Sequence, residues 1–289
     1  YPNGNTRPME RAFKDLTLLY HGKHPDYHSC DTEYHDIQHV LDVTLTMARL
    51  LDGYARSQKG EAALPSALFS VGVVTALFHD FGYLRHRNDR RHRFGGEYTL
   101  THVTRGSRFL RRYLPRIGLK KYAAAASQLV HFTGYERKVD AIRLDDPLLR
   151  RVGEMLGTAD IIAQMSDRCY LEKCRDRLYP EFVLGGLTRR KLPNGKTVTV
   201  YESGNDLVRK TPGFYANATK RLDEQLHSAY RYAGKHFGGP RNLYIEEMNK
   251  NVSYAVALAG APTEFLLRRS PPSTLLPGVR AFSKDLVIL

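Results

Sequence analysis

Cysteine is scarce in this chain: three residues, Cys30, Cys169 and Cys174, among 289. They build no disulfide framework, so free thiols in a reducing compartment are expected. Cys169 and Cys174 are five apart and share no helical face well, which makes them packing residues. No run of about 18 apolar residues occurs, so no membrane-spanning helix is expected. No signal peptide opens the sequence, and the expected location is cytoplasmic. The chain begins at Tyr1 rather than Met, which leaves room for an upstream segment. Internal repeats are lacking. Hydrophobic residues at 42% and charged residues at 26% suit one globular domain over 1–289.

Acidic residues are outnumbered, 30 against 44 lysines and arginines, for a formal charge of +14. Such a balance favours an anionic partner: nucleic acid, acidic lipid or a phosphorylated small molecule. No helix-turn-helix or zinc-finger spacing is present, which argues against nucleic acid. Histidine is more informative. Ten of the twelve lie at or before His131, and only His227 and His236 lie beyond it. Histidine chemistry would therefore belong to the first part of the chain.

The periodicity is helical. Asp31 is a candidate cap for a helix running to about Leu51. "PSALFSVGVVTALFHDFGY" is apolar on nearly every side and predicts a fully buried helix, with Gly82 as its C′ residue. Residues 84–97 read as a polar loop. Further helices are expected from about Glu97 to Tyr113, with Phe109, Leu110 and Leu114 buried, and through "LKKYAAAASQLVHF" to His131. A long helix follows from Asp146, with an interruption near Gly157. "TRRKLPNGKTVTVYES" predicts a β-hairpin over 188–203. Two helices, about Phe214 to His236 and Leu243 to Leu258, precede a Pro-rich, extended tail. The expected fold is all-α: a helical core over about 30–180, a small β-hairpin insertion and C-terminal helices over about 214–258.

In this frame "YHDIQHVLDV" places His35, His39 and Asp42 on one helical face beside the core. His79 and Asp80 end the buried helix, His102 sits in the next, His131 ends the alanine-rich helix and Asp160 lies in the long helix. Each falls in or beside an apolar segment, where an unpaired ionised group is costly. Imidazole nitrogen with carboxylate oxygen suits one or two divalent transition metals, such as Fe, Mn, Zn, Ni or Co, with Mg also admitted. His39, His79, Asp80, His102, His131 and Asp160 suffice for two ions, with Asp80 as bridge. A two-metal site generates hydroxide at neutral pH and clamps a phosphate during in-line attack.

The order of these residues resembles the HD superfamily of metal-dependent phosphohydrolases, over roughly residues 30–180. The opening stretch is similar to the cyclic-nucleotide phosphodiesterase signature Tyr-His-Asn-x-x-His-x-x-Asp-Val. Tyr34, His35, His39, Asp42 and Val43 match it, and Asp36 replaces Asn. The resemblance implies an HD-domain helical bundle in which His39 binds metal and His35 protonates the leaving alkoxide. Asp42 would orient the histidines. The second phosphodiesterase signature, His-Asp-x-x-His-Pro-Gly-x-x-Asn, is kept at His79, Asp80 and Asn88, whereas Tyr83, Leu84 and Arg85 replace His-Pro-Gly. His102 and His131 resemble the added ligands of six-ligand HD proteins, with Glu97 competing for the place of His102. Guanosine-tetraphosphate hydrolases and the cyclic-di-GMP hydrolases of the superfamily fit less well.

The implied activity is hydrolysis of a cyclic nucleotide or related nucleotide phosphoester, with His35 and Asp80 catalytic. Diiron oxygenases of the same superfamily share the six-ligand order, and a catalytically idle nucleotide sensor would keep the same ligands. The basic loop "RHRNDRRHRF" suggests substrate capture by Asn88, Arg90 and Arg91. "HGKHPDYH" reads as a polar loop. Phe132 and Tyr135 are placed to sandwich a base near His131.

Overall fold

Asp36, not Asp31, starts the first long helix of the core. The computed structural model describes residues 4–58, 63–258 and 267–286. Its helix α1 is Arg7–Tyr20 and α2 is Ile37–Ser57. Asp36 adopts extended backbone and its carboxylate accepts the His39 N–H at 2.9 Å, the geometry of an N-cap. Asp31 instead accepts from Gly95 N and Arg85 Nε. The helix is therefore shorter at its start than the sequence suggests, and His35 stands outside it. Val40, Val43, Met47, Leu50 and Leu51 form its buried stripe. That stripe packs on α3 (Ser66–Leu77), α6 (Pro147–Met165) and α10 (Arg231–His236).

Helix α3 is buried along nearly its whole length, as its sequence predicts. It stops at Leu77, and His79 and Asp80 follow in a turn that leads into a 3₁₀ turn, Phe81–Tyr83. Gly82 has another task than capping. A Cβ there would lie 1.9 Å from the His102 carbonyl oxygen, so glycine permits this turn to touch α4 (His102–Tyr113). The preceding residues 95–98 form a separate 3₁₀ turn, which is why α4 starts at His102 and not near Glu97. Leu110 and Leu114 are buried and Phe109 is half-buried. The alanine-rich segment supplies α5 (Ala123–Leu129) and a 3₁₀ turn, Val130–Phe132.

Helix α6 runs unbroken through Gly157. That glycine lets the Phe132 carbonyl approach, since a Cβ would stand 2.5 Å from its oxygen. The break comes later, at Ser166, before α7 (Tyr170–Lys173), a π-helical turn (Cys174–Leu178) and α8 (Tyr179–Leu184). The hairpin forms as expected. Strands β1 (Arg189–Lys191) and β2 (Thr197–Thr199) pair antiparallel, with Arg190 opposite Val198.

Ser203 caps α9 (Gly204–Lys220), so this helix begins ten residues before the expected Phe214. It carries Pro212 inside and ends in a π-helical turn. Positive φ angles at His227 and Ser228 then separate it from α10. Helix α11 (Leu243–Leu258) matches expectation. The tail from Leu267 has no strand or helix until α12 (Ser283–Leu286), a short helix the sequence did not suggest; the last three residues of the tail lie outside the described residues. Arg177 holds the tail through the Pro271 and Pro272 carbonyls, and Thr274 donates to Asp36. One hydrophobic core runs from Ala12 to Leu267. Among the described residues no helix is long and apolar enough to cross a membrane. All three cysteines are free.

Candidate metal centre

Three elements deliver the central groups. Helix α2 brings His39 inward on its first turn, the turn after α3 brings His79 and Asp80, and α6 brings Asp160. The ligand atoms of His39, His79 and Asp80 all lie within 4.8 Å of one another, and all three residues are buried. His39 Nε2 stands 3.2 Å from Asp80 Oδ2 and 3.5 Å from Asp160 Oδ1. His79 Nε2 stands 3.1 Å from Asp80 Oδ2, 3.8 Å from Asp160 Oδ1 and 3.4 Å from His39 Nε2. His102 Nε2 faces Asp80 Oδ1 at 3.7 Å.

The donor set fits a cation. A carbonyl oxygen can only accept, so the ring nitrogen facing it carries the proton. His79 Nδ1 faces Ala76 O at 2.7 Å and His102 Nδ1 faces Thr99 O at 2.6 Å. Their Nε2 lone pairs are thereby left pointing at Asp80, as in metal sites whose outer contacts fix the tautomer. Asp80 Oδ2 itself is buried without a properly formed hydrogen bond. An orphaned carboxylate oxygen of this kind is costly unless an ion or a proton compensates it.

The imidazoles and carboxylates of the cluster also shift one another's protonation. Burial alone would lower the His39 imidazole, but the carboxylates of Asp160 and Asp80 hold it up at about 10. His79 is raised too, as Asp80 outweighs the burial that would lower it. Burial would raise Asp80 and Asp160, yet the surrounding imidazoles keep both below the ordinary carboxylate range. His102 is different: burial dominates and lowers it, which favours the neutral ring that ligates metal.

His131 is buried at the end of the alanine-rich segment, and its Nδ1 meets Glu136 Oε1 at 2.6 Å. It belongs to the same neighbourhood through Glu136, which lines the cavity described below, but its ring nitrogen pairs with Glu136 and not with Asp80. Glu97 is no rival to His102. Its carboxylate accepts the N–H groups of Arg93 and Phe94 and closes its own turn. Asp42 points away from the cluster and accepts from Gln38 Nε2, so it orients neither histidine.

The orienting carboxylate comes from α8 instead. Glu181 Oε2 meets His35 Nδ1 at 2.5 Å, and Glu181 Oε1 accepts the Tyr34 N–H at 2.7 Å. Tyr83 stacks between His35 and His102, with both centroid distances at 4.4 Å. Gln164 bridges Asp160 and the Tyr34 hydroxyl. His35, Tyr83, Asp80, His102, Asp160 and Gln164 line one side of a cavity of about 420 Å³. Glu181, Glu136, Gln164 and the stacking of Tyr83 have no counterpart among the site residues expected from the sequence.

Asn88, Arg90 and Arg91 are exposed and do not line this cavity. Their loop packs on the "HGKHPDYH" segment: His28 N donates to Arg85 O, and Tyr27 pairs with His86. Phe132 is fully buried while Tyr135 is exposed at the cavity, so the two do not form a sandwich. Comparisons with protein-family models, with curated proteins and with solved structures found no match.

Proposed function

We propose that this chain is a metal-dependent phosphohydrolase of the HD type, and within that class a phosphodiesterase acting on a cyclic nucleotide or related nucleotide phosphoester. One observation carries the reading. Asp80 of the buried His39–His79–Asp80 cluster and His35, held by the buried Glu181 carboxylate, line the same cavity. Its volume suits a mononucleotide-sized ligand. The three free thiols go with a reducing compartment such as the cytoplasm.

His39, His79, Asp80 and Asp160 would hold one divalent transition metal, and His102 with Asp80 would begin a second site that His131 and Glu136 adjoin. When bound, such ions supply Lewis acidity toward a phosphoryl oxygen and acidify water. The chain's own residues do the rest. Glu181 accepts the Nδ1 proton of His35, and Tyr83 fixes the ring plane by stacking. His35 Nε2 is then the position that holds a proton toward the cavity. In hydrolysis the oxygen of water forms the new bond to phosphorus and the bond to the sugar oxygen breaks. That departing oxygen takes its proton from His35. Asp80, which lines the cavity, is the carboxylate placed to take the proton lost by water.

The test is turnover. Protein stripped of metal with chelator is resupplied with Mn²⁺, Fe²⁺, Zn²⁺, Ni²⁺, Co²⁺ or Mg²⁺ and given a panel of cyclic nucleotides. Hydrolysis that appears with metal and disappears with chelator is expected. A metal-loaded protein that hydrolyses nothing on the panel would instead favour a nucleotide sensor or an oxygenase.

A further inference from the structure

The cavity has a second character besides its metal-ligating floor. Leu100 and Tyr135 are 67% and 66% exposed, more than any other large apolar side chain described. Both stand at this cavity, together with Phe214, which is 39% exposed. A single exposed apolar side chain needs no explanation, but several gathered round one opening mark a ligand-binding surface. Tyr135 is a fixed platform and not a loose ring. The Arg221 guanidinium lies 4.0 Å from its centroid and is itself held by the Phe132 and Gly134 carbonyls, each at 2.7 Å. Behind the rim, Leu187, Tyr201 and Leu207 continue the apolar wall. They come from the hairpin region and α9, outside the helices that carry the ligand set.

Charge along the same wall is sparse. Lys210 is the only lysine or arginine lining the cavity among the described residues, and it is engaged with Asp206 at 2.7 Å and Val200 O at 2.8 Å. Three carboxylates, Asp80, Glu136 and Asp160, line the other side. Among the described residues that line the cavity, no pair of arginines is present to hold a chain of phosphates. The basic loop that would supply one lies elsewhere on the surface.

On the hydrolase reading above, we infer that the substrate is a phosphodiester with a single negative charge and one bulky apolar or aromatic group. Leu100, Tyr135 and Phe214 read that group at the rim, with Leu187, Tyr201 and Leu207 as the wall behind them. A nucleoside polyphosphate is rejected for want of cations.

Two pairs of probes test this. Phenyl 4-nitrophenyl phosphate and methyl 4-nitrophenyl phosphate carry the same charge and release the same nitrophenolate, so they differ only in the retained group. With Mn²⁺-loaded protein the phenyl ester should be favoured at least tenfold in kcat/KM, mostly through KM; tenfold is about 1.4 kcal/mol. Tyr135→Ala and Phe214→Ala change exposed side chains and should fold, and each should cut that ratio about threefold or more. Calorimetry should show diphenyl phosphate binding at least tenfold tighter than dimethyl phosphate. Ratios near one in both measurements, with both esters hydrolysed, would overturn the inference and leave the hydrolase reading standing. No hydrolysis of either ester, with the binding preference intact, would remove the hydrolase reading and still support this ligand class.

Discussion

Glu181→Gln isolates the proposed proton donor with the smallest change of shape. The native carboxylate accepts from two donors at once, Tyr34 N–H and His35 Nδ1–H. Glutamine offers one oxygen and one NH₂ group. One of the two donors must then face another donor in a buried place, where the side chain of Glu181 is only 5% exposed. An unsatisfied buried donor costs about 1–3 kcal/mol. If the ring of His35 turns to escape, the proton on Nε2 no longer points at the leaving oxygen. We expect kcat on a cyclic nucleotide to fall by about tenfold to a hundredfold, at roughly 1.4 kcal/mol per decade. His35→Ala should fall further, by about 10² to 10⁴, the usual worth of a general acid. The assay compares this substrate with a nitrophenyl phosphodiester, whose leaving group needs little protonation. Both variants should keep their metal and lose much less on the nitrophenyl ester. Equal losses on the two substrates would refute the acid role, and metal lost from His35→Ala would make His35 a ligand.

Three further outcomes follow from the same geometry. His39 is held up at about 10 in the metal-free chain, above its unfolded value, so the stability it contributes is full below about pH 6.5. Chelated protein should therefore lose stability as the pH rises through about 10, and metal uptake at pH 7 should release a proton; calorimetry in buffers of different ionisation enthalpy that shows no release would count against His39 as a ligand. Asp36→Ala removes both the cap on His39 N–H and the acceptor of Thr274, and should cost about 1–2 kcal/mol in a urea titration, with an unchanged midpoint contradicting the capping role. Gly82→Ala drives a Cβ against the His102 carbonyl, so it should lower both the melting temperature and the affinity for a second metal equivalent; wild-type values for both would show that the contact is not needed.

What the sequence disclosed was local, and what it hid came from far along the chain. The apolar run of α3 and the Pro-Asn-Gly turn of the hairpin carry their own signals, and both elements stand where they were expected. The cluster residues His39, His79, Asp80 and Asp160 were legible because each interrupts or borders an apolar helix. Asp31 is the cap expected from the sequence, and Asp36 carries the same side chain. The structure chooses Asp36 because Asp31 is used by Gly95 and Arg85, a contact that only the folded chain creates. That choice moved His35 off the helix and ended the expected pairing of His35, His39 and Asp42 along one face. Glu181 is 146 residues from His35 and sits in a short, unremarked helix, so no spacing rule points to it. Gly157 looked like an interruption because glycine weakens a helix in isolation, whereas here its missing side chain admits the Phe132 carbonyl.

Metal content tests the His39–His79–Asp80 cluster itself. Protein purified without chelator or metal-affinity tag should carry one or two equivalents of a divalent transition metal by elemental analysis. Asp80→Ala removes the carboxylate that faces His39, His79 and His102 together. In a variant shown to be folded by circular dichroism, bound metal should drop to a small fraction of the wild-type amount. Wild-type metal content in folded Asp80→Ala would mean that this cluster holds no metal.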